Sequence, residues 1–145
     1  MTYRLSREEC EPLIAYLELA KPVTQTLRDS FAIKAKIKTL AYPEIKPSYV
    51  YRQLYGSAAT AVLANVVATP SPIARQHLVL YLHKLRYVKP ALDGDDLRRL
   101  GFTPGPAIRE TLEQLRDGRL DRKLTTRQEE EDFVMKRRDK PARPD

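Results

Sequence analysis

The chain has 145 residues, 42% apolar and 31% charged, with a net charge of +7. That is enough to bury a sizeable core in one domain or two small ones. No apolar run approaches the roughly 18 residues of a membrane span. The N-terminus lacks the basic-then-apolar order of a signal peptide, and the single Cys10 cannot close an intrachain disulfide. The expectation is a membrane-free, cytoplasmic protein.

In chain order, Ser6 and Glu9 have the spacing of a capping box, and Leu13, Ile14, Leu17 and Ala20 form one apolar helix face. Pro22 punctuates. Residues 24–42 predict a second helix. The alternation Ile33-Lys34-Ala35-Lys36-Ile37-Lys38 also suits a strand, but Ile33, Ile37 and Leu40 fall at i, i+4, i+7, and no partner strand is visible. Pro43 and Pro47 bracket a loop. Ser48 then stands as a cap for a helix through Tyr51, Leu54 and Tyr55, closed by Gly56. Residues 58–68 are almost wholly apolar, which predicts a helix buried on all sides at the centre of the core. Ser71 and Pro72 open the next helix, which runs to about Arg86 with Leu78, Leu82 and Leu85 inward.

The stretch 89–121 holds four of the five glycines and three of the eleven prolines, at the edges of helical text. Asp93 or Asp95 caps a short helix through Leu97 and Leu100. Gly101 closes it. Pro104-Gly105-Pro106 turns the chain into a helix whose Ile108, Leu112 and Leu115 share one face, with Gly118 as its end. Such a hairpin leaves main-chain amides free at Gly105 to Ile108, an anion site beside Arg98, Arg99 and Arg109. Further on, Thr125 or Thr126 forms a capping box with Gln128 or Glu129. Phe133, with Val134 beside it, is the expected inward anchor of that last helix. Residues 141–145 read as a disordered end.

The charge is uneven: residues 1–20 carry −2, residues 21–92 carry +9 and residues 93–145 are neutral. A local excess of that size attracts polyanions. Arg75, Lys84, Arg86 and Lys89 have no acid nearby in sequence.

The segment DGDDLRRLGFTPGPAIRETLEQLRDGRLD resembles the C-terminal part of bacterial tRNA nucleotidyltransferases, the CCA-adding and A-adding enzymes of the poly(A) polymerase family. The resemblance rests on Gly94, Asp96-Leu97, Leu100-Gly101, Pro104-Gly105-Pro106, Leu112, Leu115 and Leu120-Asp121. It continues upstream in Lys46-Pro47-Ser48 with Tyr51, and in residues 85–90. Arg109 and Arg122 stand where that family usually has a small residue and a glycine. The second departure bears on the turn at 121–123.

The resemblance implies the end of an all-α body over residues 1–90 and a helical tail over 91–140. Its expected partners are tRNA and a catalytic head lying outside this chain. The chain itself is expected to need no cofactor and to have no catalytic residue, with magnesium belonging to that head. Asp93-Gly94-Asp95 imitates half of the superfamily's metal motif but lacks the preceding Gly-Ser and a strand. His77 and His83 are six apart, a spacing that does not share a helix face. The candidate RNA contacts are Lys34, Lys36, Lys38, Lys46, Arg52, Arg75, Lys84, Arg86 and Lys89 in the basic stretch. At the hairpin they are Arg98, Arg99, Gly101, Gly105 and Arg109. The alternative is a helical protein-interaction module, including a homodimer, if the 58–68 helix proves exposed.

Overall fold

The computed structural model describes residues 8, 9, 11, 12, 15 and 21–139. Ser6, the face from Leu13 to Ala20, Cys10 and the end 141–145 lie outside the described residues. Among the described residues every regular element is helical, as the periodicity predicted. The chain divides into two compact units, one through Arg86 and one from Tyr87.

The first unit contains α1 (Lys21–Leu40), α2 (Pro47–Leu54), α3 (Ala59–Ala68) and α4 (Pro72–His83), followed by a single 3-10 turn. The alternating run 33–38 is helical, with Ile33 and Leu40 buried and Ile37 partly so. Helix α1 packs on α3 and α4, and α2 packs on α4 and α1. Leu40, Val50, Leu54, Val62 and Leu78 are fully buried between them. Each such side chain contributes about 1.5–3 kcal/mol relative to exposure.

Two details of α2 differ from expectation. Its cap is the extended residue Lys46 and its first residue is Pro47, so Ser48 lies within the first turn. Proline's fixed φ and missing N–H suit that first position without a side-chain cap. At the other end Tyr55 (φ −56°, ψ 134°) and Gly56 (φ 82°) form a type II turn. The Ser57 N–H closes it on the Leu54 carbonyl at 3.1 Å. A positive φ at the third position of this turn is what requires glycine.

Helix α3 overturns a larger expectation. It buries only Ala61, Val62 and Asn65. Ala64 is exposed, and Leu63 and Val67 are 54% and 78% exposed. Composition promised burial all round, but α3 lies on α1 and α4 with one face only. Polar bonds fix that face. Asp29 of α1 accepts the Ala58 N–H at 2.8 Å, and the Asn65 amide donates to the Ser30 and Ala61 carbonyls at 3.1 and 2.9 Å.

The second unit contains α5 (Gly94–Arg99), α6 (Pro106–Leu120) and α7 (Arg127–Arg138). Its core is Leu92, Leu97, Ile108, Leu115 and Val134, flanked by Leu100, Phe102, Leu112 and Leu124. Asp93 caps α5 in a full capping box with Asp96. The helix ends in a Schellman motif: the Gly101 N–H donates to Arg98 and the Phe102 N–H to Leu97, each at 3.0 Å, with Gly101 at φ 97°.

Gly118 does not end α6, which continues to Leu120. A Cβ at Gly118 would lie 2.6 Å from Leu124 Cδ1, so the glycine is there for close packing of Leu124. The end of α6 is a second Schellman motif. Lys123 N–H donates to the Gly118 carbonyl and Arg122 N–H to that of Arg119. Arg122 takes the left-handed position with φ 57°. The turn therefore forms with arginine where glycine is the natural choice.

Helix α7 starts at the Thr126–Glu129 capping box. Its inward residues are Glu130 and Val134, one turn apart, while Phe133 is left 37% exposed, about 100° around the helix from Val134.

Candidate nucleic-acid interface

The candidate contact residues of the first unit, with His77, fall into two groups. One group closes helix C-termini, where the last carbonyls lack partners and the helix dipole favours positive charge. Lys36 Nζ donates to the Gln53 carbonyl near the end of α2 at 2.9 Å. The Arg75 guanidinium donates to the Val66 and Thr69 carbonyls at the end of α3, at 3.1 and 2.8 Å. His77 Nδ1 lies 2.7 Å from the Leu40 carbonyl at the end of α1. A carbonyl can only accept, so Nδ1 carries the proton there.

The second group faces water. Lys38, Lys46, Arg52, Lys84 and Arg86 are exposed. Lys34 is half-buried, with its ammonium 6.0 Å from the Phe31 ring centre. Lys34 and Lys38 share a helix face at i, i+4, and Lys36 points to another, so the lysine run does not act as one patch. The unit through Arg86 has twelve basic and six acidic side chains in its sequence, a net charge of +6.

The hairpin of the second unit is laid out differently. Arg98 pairs with Asp95 at 3.2 Å, Arg99 with Asp96 at 3.8 Å, and Arg109 with Glu113 at 3.4 Å. Arg109 is still 85% exposed at its side chain. Lys89 is exposed in the segment before α5. The amide cradle expected at Gly105–Ile108 is reduced. Pro106 has no N–H, and the Ile108 N–H donates to the Gly105 carbonyl at 3.2 Å. At most Gly105 and Ala107 offer main-chain donors there. Gly105 itself has φ 141°, a conformation only glycine adopts without strain.

The carboxylates of Asp93-Gly94-Asp95 are committed elsewhere. Asp93 accepts the Asp96 N–H at 2.9 Å, Asp95 holds Arg98, and Asp96 holds the Asp93 N–H and Arg127. They do not fit a magnesium pair. The hydrogen bond from the Asp93 amide, with Arg127 and Arg99 behind it, keeps the Asp96 carboxyl below its usual range. The amide and hydroxyl of Thr125 do the same for Glu129.

Two features escaped sequence reasoning. The first is Glu130, which is 0% exposed. Its carboxylate accepts the Ala91 N–H at 2.9 Å, the Leu92 N–H at 3.0 Å and the Arg119 guanidinium. Arg119 also donates to the Thr125 carbonyl at 3.0 Å. One carboxylate thus ties together the chain before α5, helix α6 and helix α7. Nothing in the acidic run 129–132 singles it out except its i−4 spacing from Val134. The second is a set of tyrosines. Tyr55 stacks on Tyr51, with centroids 5.4 Å apart and planes at 29°, and Tyr51 meets Tyr81 at 6.1 Å.

This geometry defines an all-α protein with one strongly cationic unit and one charge-balanced unit. The chain is similar to the A-adding tRNA nucleotidyltransferase of Geobacter sulfurreducens, 32% identical over 87 residues. The match covers 60% of this chain and 10% of that enzyme. The chain thus spans about a tenth of the length of the curated relative it matches. No protein-family model matches the chain, and no solved structure does. Among the described residues no helix is long and apolar enough to cross a membrane.

Proposed function

We propose that this chain is a tRNA-holding helical segment, positioning tRNA so that its 3′ end can receive A or CCA from a catalytic head outside it. The observation that carries the reading is the 87-residue likeness to a tRNA nucleotidyltransferase. The +6 charge of the first unit supports it, since Lys38, Lys46 and Lys84 project into water and attract phosphate. Magnesium would act in the head, and this chain would contribute binding alone. Duplex RNA offers few readable base edges, so recognition would be of shape and phosphate positions.

Fluorescence anisotropy with labelled tRNA at several salt concentrations tests this. Log K should fall linearly with log salt, by about 0.7–0.9 per phosphate neutralised. Lys38→Ala, Lys46→Ala and Lys84→Ala together should weaken binding and flatten that slope. Absence of binding at low salt refutes the reading. A second reading, a homodimer through α3, is favoured by the exposure of Leu63 and Val67. Sedimentation equilibrium decides it: a mass that rises with concentration and reverts to monomer in Val67→Lys supports the dimer.

A further inference from the structure

The tyrosine set of the first unit is built more firmly than scattered surface tyrosines are. Tyr55 is 67% exposed, yet its ring is held on one face by Tyr51. Tyr51 is buried and in turn held by Tyr81, which is also buried. The backbone at Tyr55 is fixed by the type II turn with Gly56 and by its own N–H, which donates to the Tyr51 carbonyl at 2.8 Å. The exposed face of Tyr55 is therefore a preorganised aromatic plane, and little side-chain entropy remains to be lost when something stacks on it. Tyr42 is similarly exposed, at 65%, with no ring contact among the described residues.

The surroundings are cationic. Arg52 lies in the last turn of α2 and Tyr55 is the residue that follows the helix, so the two stand at the same helix end. Burial and the neighbouring Tyr51 push the Tyr81 hydroxyl above its ordinary pKa, and the positive charge of Arg86 opposes that rise. An aromatic plane with a free face in a positive field suits a flat, electron-rich group attached to an anionic backbone. Base–aromatic stacking beside a basic track is how unpaired nucleotides are held.

We infer that Tyr55, supported by Tyr51 and Tyr81, is a stacking platform for an unpaired nucleobase of the bound RNA. This rests on the RNA-binding reading and adds to it a contact with a single-stranded nucleotide, where shape and phosphate recognition alone would need only duplex.

The test uses two RNA hairpins with the same stem, one blunt and one carrying an unpaired 3′ extension with 2-aminopurine, whose fluorescence is quenched by stacking. The wild-type chain should quench the probe and bind the extended hairpin more tightly. Tyr55→Ala should abolish the quenching and weaken the extended hairpin by about 5- to 150-fold, the range of one base–aromatic stack, with the blunt hairpin unchanged. Tyr55→Phe, which keeps the plane, should stay within about twofold of wild type in affinity. Tyr42→Ala should change nothing. Circular dichroism melting confirms that each variant is folded. Equal affinity for both hairpins, unaffected by Tyr55→Ala, overturns the platform and leaves the RNA reading standing. A Tyr55→Phe loss as large as that of Tyr55→Ala also overturns it, since the contact would then be through the hydroxyl. Binding of neither hairpin nor tRNA at low salt removes both the platform and the RNA reading.

Discussion

The two units differ in which charges mostly meet their helix ends, although each also does the reverse: Asp29 accepts the Ala58 N–H at the start of α3, and Arg138 donates to the Leu100 carbonyl at the end of α5. In the first unit cationic or imidazole side chains close helix C-termini: Lys36 on α2, Arg75 on α3 and His77 on α1. In the second, carboxylates close N-termini and neighbouring amides: Asp93 and Asp96 on α5, Glu129 on α7 and Glu130 on the Ala91–Leu92 segment. A carbonyl accepts a hydrogen bond but does not cancel a formal charge. The first unit has a net charge of +6 because basic residues outnumber acids in it, while the second has nearly as many acids as bases and carries +1. The amount of charge and its position relative to helix ends both separate a unit that projects a field from one whose charges are largely balanced.

The largest effect should come from breaking the carboxylate clamp. Glu130→Ala leaves Arg119 and the Ala91 and Leu92 amides without their acceptor. Removing one partner of a buried pair costs about 3–5 kcal/mol. Hydrogen exchange should show loss of amide protection over residues 91–138. Unchanged protection would mean the hydrophobic cluster around Leu97 and Leu115 holds the unit without the clamp.

The next effect separates the two kinds of cation in the first unit. Arg75→Met keeps the apolar stem but removes bonds to the Val66 and Thr69 carbonyls. Hydrogen bonds of charged groups contribute about 1.5–3 kcal/mol, and a urea titration should register a loss of that order. Lys38→Met removes the same unit of charge from open water and should move stability by less than about 0.5 kcal/mol. If both variants lose equally, the division into capping and field cations fails.

A smaller effect of opposite sign is expected at Arg122, whose φ of 57° is left-handed. A side chain costs about 1–2 kcal/mol in that region. Arg122→Gly should therefore raise the melting temperature, offset in part by the extra freedom glycine gives the unfolded chain. A lower melting temperature would show that the arginine side chain contributes more than the strain costs.

The smallest effect sharpens the comparison through pH. The folded-state carboxyls of Asp96 and Glu129 titrate below their ordinary range, because amide and hydroxyl hydrogen bonds and nearby arginines favour the charged forms. A depressed folded pKa stabilises fully above the unfolded value and is lost as pH falls through the folded one. The second unit should lose stability as pH drops below about 4.5. Asp96→Asn with Glu129→Gln should blunt that loss in a series of melts between neutral and acid pH.

Much of this was legible locally. The all-α class, the Pro72 and Pro106 starts, Gly101, the Asp93 and Thr126 caps and the Ile108–Leu112–Leu115 face each depend on residues within one or two turns of sequence. Those interactions are decided by backbone geometry that a few neighbours specify. What depended on partners far along the chain was not legible. Leu63 and Val67 are exposed because α3 has neighbours on one side only, and hydropathy cannot count neighbours. Gly118 lies inside a helix because Leu124 closes over it. Glu130 is buried because amides 38 and 39 residues earlier turn toward it. The charge excess was plain from sequence, but its division was not: whether a lysine or arginine meets a helix end or open water is fixed only when the helices pack.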